Sequence, residues 1–164
     1  MWTLSKIVML VFLFTMMTSV LYYQQWISQL TRVEQAKSMT NQVREGFNRA
    51  LLPESLEARI LVPVFQAASG EQYTIRIESS TVSGQKVVSV LFAYGDHGQA
   101  FNGPWDSATS LAVSSDISLD PDPFTINSTA RTIEINKTVT PAGVHVSLTG
   151  CRLITSSGAC LQAS

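Results

Sequence analysis

Apolar residues run from Ile7 to about Tyr23 and pass without a break into a helix-patterned stretch that stops only at Pro53. A bilayer core of about 30 Å takes roughly 20 mostly apolar residues in a helix. Residues 7–27 meet that length, with only Thr15, Thr18, Ser19, Gln24 and Gln25 as polar interruptions. Residues 28–52 continue with a different pattern. From Trp26, apolar or small side chains recur at Leu30, Val33, Ala36, Val43, Phe47, Ala50 and Leu51, broken by Thr40. Steps of three and four mark one buried helical face. Gln29, Arg32, Lys37, Asn41, Arg44 and Asn48 occupy the other side. Pro53 restricts Leu52 and predicts that the helix ends near Leu51. At 1.5 Å per residue, a helix from Ile7 to Leu51 would reach roughly 65–70 Å, well beyond a membrane.

Past Pro53 the period changes to that of strands. Residues 72–78 (QYTIRIE) place Tyr73, Ile75 and Ile77 on one face, and residues 131–137 (RTIEINK) do the same with Ile133 and Ile135. Residues 144–148 turn Val144, Val146 and Leu148 inward and His145 outward, and residues 151–155 predict a last strand. Residues 86–93 (KVVSVLFA) are apolar almost throughout, as in a central strand buried on both faces. Pro63 makes residues 58–65 an edge strand or an irregular one. Turn-forming clusters at 79–85, 95–105 and 120–123 divide these runs, with hairpin-type turns at Ser83-Gly84 and Ala68–Gly70. About seven short strands in residues 53–164, with no helical pattern among them, predict an antiparallel, immunoglobulin-like β-sandwich behind a long N-terminal helix. The Cys…Trp…Cys spacing of antibody domains is absent. The expected organisation is a short tail (1–6), a transmembrane helix (7–27), an amphipathic extension (28–52) and the sandwich (53–164).

A cleaved secretion signal is the alternative to an anchor. The apolar run is long for one, and no small-x-small cleavage site follows it. Trp2 before the span and Tyr22, Tyr23 and Trp26 after it suit the headgroup levels of a single crossing. Sidedness rests on opposing signals. Lys6 precedes the span and Arg32, Lys37 and Arg44 follow it, which by itself favours a cytoplasmic C-terminal part. Two N-glycosylation patterns, at Asn127 and Asn136, and the closely spaced pair Cys151 and Cys160 point the other way. Sequons arise by chance and cysteines can be buried thiols, yet together they outweigh a small charge difference. The expectation is a sandwich outside the cytoplasm, with a disulfide between the cysteines.

A net charge of −1 with 14% charged residues, and no cluster of Lys or Arg, gives no electrostatic case for nucleic acid. No catalytic constellation has a supporting local motif. His97 sits in a Gly-rich loop, and His145 lies on a polar strand face with serines throughout the domain. The two His and two Cys lack zinc-finger spacing. Asp116, Asp120 and Asp122 could offer oxygen ligands to Ca²⁺, although the prolines beside them also fit a plain turn. No enzyme activity and no cofactor are expected.

The apolar segment SKIVMLVFLFTMMTSVLYYQQW, the stripe to Leu51, and the strand pair RTIEINKTV–GVHVSLTG with its sequon resemble archaeal type IV pilin-like proteins, including accessory and stator-type archaellum subunits. That resemblance is one of architecture across the whole chain. It implies a helix that sits in lipid or packs with other helices, and an outward sandwich that is often glycosylated. MWTLSK offers no Lys/Arg-Gly/Ala junction and no early acidic residue, so the expectation shifts from processed filament subunit to anchored accessory protein. Trp26, Leu30, Val33, Val43 and Phe47 are the expected helix-packing residues. They would serve a homo- or hetero-oligomer, the chain's own β-domain, or both. The alternative function is a membrane-tethered module holding a ligand, glycan or Ca²⁺ in loops such as 95–105 or 116–124.

Overall fold

The computed structural model describes residues 2–52, 56–64, 71–95, 103–155 and 158–162. Pro53, Phe65, the turn expected at Ala68–Gly70, His97 and most of the 95–105 loop lie outside them, as does the side chain of Trp2. Among the described residues, one helix, α1 (Trp2–Ala50), precedes nine strands. The chain divides into two compact units, Met1–Gln35 and Ala36–Ser164.

In the first unit, α1 is long and apolar enough to cross a membrane. Ile7, Val8, Met9 and Leu10, which together go round a full turn, are all more than half exposed, so the segment is apolar around its whole circumference. A helix of that kind needs an apolar surrounding, which lipid supplies. Several of its hydroxyls bond back to helix carbonyls. Thr18 donates to the Phe14 carbonyl at 2.9 Å, Ser19 to Thr15 at 2.8 Å, and Thr31 to Ile27 at 2.9 Å. Such back-bonding spares a polar group the cost of facing hydrocarbon alone.

The second unit is a two-sheet sandwich that includes the end of α1. One sheet holds β1 (Glu57–Pro63), β7 (Thr132–Thr140), β8 (Gly143–Ile154) and β5 (Ile117–Asp120) in that order, with β9 (Cys160–Gln162) also paired to β8. The other holds β4 (Ser107–Val113), β3 (Gln85–Tyr94), β2 (Tyr73–Val82) and β6 (Phe124–Asn127). The edge strand expected around Pro63 is β1, which ends on that proline. The β2–β3 hairpin closes over Ser83 and Gly84, both with positive φ (51° and 80°), as a two-residue hairpin turn of the favoured kind requires.

Four differences from the sequence reading have physical causes. β5 pairs with β8 in parallel, an exception to the antiparallel pattern. It starts where Val144 N donates to the Asp116 carbonyl at 3.1 Å. There Gly143 has a φ of 135°, and an added Cβ would lie 2.4 Å from that carbonyl oxygen. Second, β3 is central but only one of its faces is buried along most of its length. Val88, Val90 and Phe92 are buried, whereas Val87 and Leu91 on the other face are half-buried. Third, the two late apolar runs form one twelve-residue strand, β8, lined by β5 along Val144–Ser147 and by β9 along Cys151–Ile154. Fourth, β4, β5 and β6 occupy a stretch that gave little apolar alternation.

The domain boundary also moves. Ala36, Met39, Val43, Phe47 and Ala50 are buried with Ile75, Val90, Ile133, Ile135 and Val146, so the last turns of α1 are part of the sandwich core. Gly46 lets the helix approach β1, since a Cβ there would lie 2.4 Å from Val62 Cγ2. Thr40, the break in the stripe, is buried and shares a 3.0 Å hydrogen bond with Ser107 of β4. The helical bond from Leu51 N to Phe47 O (2.9 Å) is the last full one. Just beyond it, the buried Lys137 of β7 donates its ammonium to the Leu52 carbonyl at 2.7 Å. A cation there suits the negative end of the helix.

Phe47→Ala should lower unfolding stability by about 3–5 kcal/mol. Gly46→Val should cost about 1–3 kcal/mol by overpacking against Val62. Both are measurable by urea unfolding of the detergent-solubilised chain. A variant as stable as the wild type would place these residues outside the core.

Candidate functional site

One face of α1 carries an exposed apolar stripe. Tyr23, Trp26, Ile27, Leu30 and Val33 follow helical spacing and are 60%, 53%, 42%, 50% and 44% exposed. Tyr23 and Trp26 also contact one another, with ring centroids 6.2 Å apart. The sequence stripe therefore separates into two parts. Val43 and Phe47 are buried in the core of the second unit, while Trp26, Leu30 and Val33 of the first unit are exposed. The polar side behaves as read: Gln29, Arg32, Lys37, Asn41, Arg44 and Asn48 are all exposed.

The acidic residues considered for Ca²⁺ do not converge. Asp122 accepts hydrogen bonds from the amide (3.0 Å) and hydroxyl of Ser79, so it tethers the β5–β6 connection to β2. Asp120 instead lies 3.9 Å from His145 Nε2. Among the described residues, the close grouping of carboxylate and sulfur atoms is a different one, Glu134 with Cys151 and Cys160, whose sulfurs are bonded to each other. Asp122 is thus engaged by Ser79, and Asp120 faces His145 across the parallel β5–β8 pairing.

That same pairing joins Ser118 to His145, with Oγ 3.1 Å from Nδ1. The Asp120 distance is that of an ion pair and too long for a hydrogen bond. Ser118 and His145 border an open hollow of about 370 Å³, lined also by Asp116, Thr138 and Thr140.

Cys151 and Cys160 form a disulfide (S–S 2.05 Å) that fastens β9 to β8. Beside it lies a polar node that sequence reading missed. Glu134 of β7, 7% exposed, accepts from Arg59 Nε at 2.6 Å and from Asn136 Nδ2 at 2.9 Å. Arg59 also donates to the carbonyl of Gly158 at 2.5 Å. β1, β7 and the loop before β9 are thereby tied together. Glu134 showed only as an outward residue between two inward isoleucines, and its partner depends on register that sequence does not state. Burial pushes the Glu134 carboxyl up. The hydrogen bonds from Arg59 and Asn136, with the Arg59 charge, outweigh burial and hold its pKa below the ordinary value. Tyr73, buried in the core, has its phenol pushed up to about 12 by desolvation.

The chain matches no family model, no curated protein and no solved structure.

A depressed carboxyl pKa stabilises the fold above the unfolded-chain value, about 4.3, and that contribution is lost as pH falls through the lower folded value. Glu134→Gln should remove it, so the stability gap between wild type and variant should narrow on acidification from pH 6 to pH 3. Urea titrations across that range measure it, and a gap independent of pH would count against the Arg59–Glu134 pairing.

Proposed function

We propose that this chain is a non-enzymatic, single-pass, membrane-anchored structural or accessory subunit of a pilus- or archaellum-like cell-surface assembly. The observation that carries this reading is the division of one helix into three uses. Its first part is apolar on all sides, its middle presents an exposed stripe through Trp26, Leu30 and Val33, and its end is buried in a β-sandwich core. An anchor alone needs only the first, and a sandwich core accounts only for the last. An exposed apolar stripe at helical spacing is what lateral packing with other helices uses.

The sandwich is assigned to the extracytoplasmic side. The disulfide and the two sequons support that placement, because structural disulfides persist in oxidising compartments and sequons are used only there. The stripe's partner is another helix, of the same chain or of a companion subunit, with membrane lipid around the preceding segment. The hollow beside Ser118 and His145 supports the second reading, a tethered module that holds a small polar ligand such as a glycan.

The substitutions Leu30→Glu and Val33→Glu test the assembly reading, since both sites are exposed and outside the sandwich core. In nanodiscs or mild detergent the wild type should cross-link into higher oligomers, and each variant should reduce them at least several-fold. The thermal transition of the sandwich should stay within a few degrees of wild type. A monomeric wild type, or variants that assemble unchanged, would sink this function.

A further inference from the structure

The two sequons stand in opposite structural settings. Asn127 is the last residue of β6, which among the described residues is an edge strand paired to β2 alone, and it opens a turn closed by a bond from Ala130 N to the Asn127 carbonyl at 3.1 Å. Its side-chain Oδ1 accepts from Thr129 N at 3.2 Å and from Thr129 Oγ1 at 2.5 Å. These bonds occupy the oxygen and leave the amide nitrogen, Nδ2, as the unengaged end of the side chain. Thr129 is exposed.

Asn136 has none of these advantages. It lies mid-strand in β7, opposite Arg59 of β1 on one side and Ser147 of β8 on the other. Its Nδ2 donates to Glu134 Oε1, which Arg59 also holds. The middle residue of its sequon is the buried Lys137 that caps the end of α1. Drawing this tripeptide into an enzyme would strip two ladders, expose a core lysine and release the helix end.

We infer that Asn127 is the acceptor of an N-linked oligosaccharide and that Asn136 stays unmodified in the folded protein. The inference rests on the extracytoplasmic placement of the sandwich. The co-substrate is an oligosaccharide carried on a polyprenyl phosphate or diphosphate. Asn127 Nδ2 forms a bond to the sugar C1 as the bond from C1 to the phosphate oxygen breaks. The amide loses one proton to the transferase, and the polyprenyl phosphate or diphosphate departs with the bonding pair. The attached glycan would stand on the edge of the four-stranded sheet farthest from β4, the strand that meets α1 through Ser107. Sugar at that edge leaves the helix side clear.

The test uses the full chain, expressed in a host with a secretory N-glycosylation system, with a control sequon in a flexible C-terminal extension. Glycopeptide mass spectrometry is run on the folded, disulfide-bonded fraction. Expected are a modified control, a glycan on Asn127, its loss in Asn127→Gln and in Thr129→Ala, and no change in Asn136→Gln. A modified control with a bare Asn127, or a glycan on Asn136 in the folded fraction, would overturn the inference while leaving the placement standing. An unmodified control would mean that the sandwich is not translocated, and the placement and the inference would fall together.

Discussion

The sandwich depends on the burial of the last four turns of α1 between its sheets. Met39, Val43 and Phe47 are at most 2% exposed, and each such side chain contributes about 1.5–3 kcal/mol when removed from water. The contribution is also one of geometry. The helix meets β1 through Gly46 and β4 through Thr40, and those are edge strands of different sheets. Edges left open invite pairing with other chains. The polar atoms admitted to this core have partners, Thr40 with Ser107 and Lys137 with the Leu52 carbonyl. That matters because a buried polar group without a partner costs more than the bond it could make contributes.

Satisfaction of the Lys137 ammonium links two levels of the structure. Residues 133, 135 and 137 share the inward face of β7, so the alternation that buries two isoleucines also carries a lysine inward. The end of α1 makes this tolerable by offering a carbonyl where the helix leaves backbone oxygens without intrahelical donors. On the outward face of the same strand, Glu134 is held by Arg59 and Asn136 next to the disulfide. One nine-residue strand thus joins the core on one face and the Arg59–Glu134 node beside the disulfide on the other.

Much of this was legible in the sequence where a single period dominates. The apolar segment from Ile7, the alternation of Tyr73, Ile75 and Ile77, and that of Ile133 and Ile135 all lie where their spacing puts them. β4 (SATSLAV) escaped notice because its inward positions include Ser107 and Thr109. β5 and β6 are four residues each and flank prolines, so turn chemistry masked them. The break at Thr40 read as a defect in the stripe, since nothing local announces a hydroxyl partner 67 residues away. The Arg59–Glu134 pair was invisible for the same reason, its 75-residue separation bridged only by strand register. Sequence periodicity also could not tell which stripe residues serve the chain's own core and which are left over.

The shared core changes what counts as a portable piece of this protein. A β-sandwich with its own closed interior can be moved between proteins by joining at the linker before its first strand. Here a cut at Pro53 would take the domain and leave behind Ala36, Met39, Val43, Phe47 and Ala50. The smallest exchangeable unit therefore begins at Ala36, inside an unbroken helix. Recombination that respects this core must splice helix to helix in register, carrying the helix end along with the sandwich it fills.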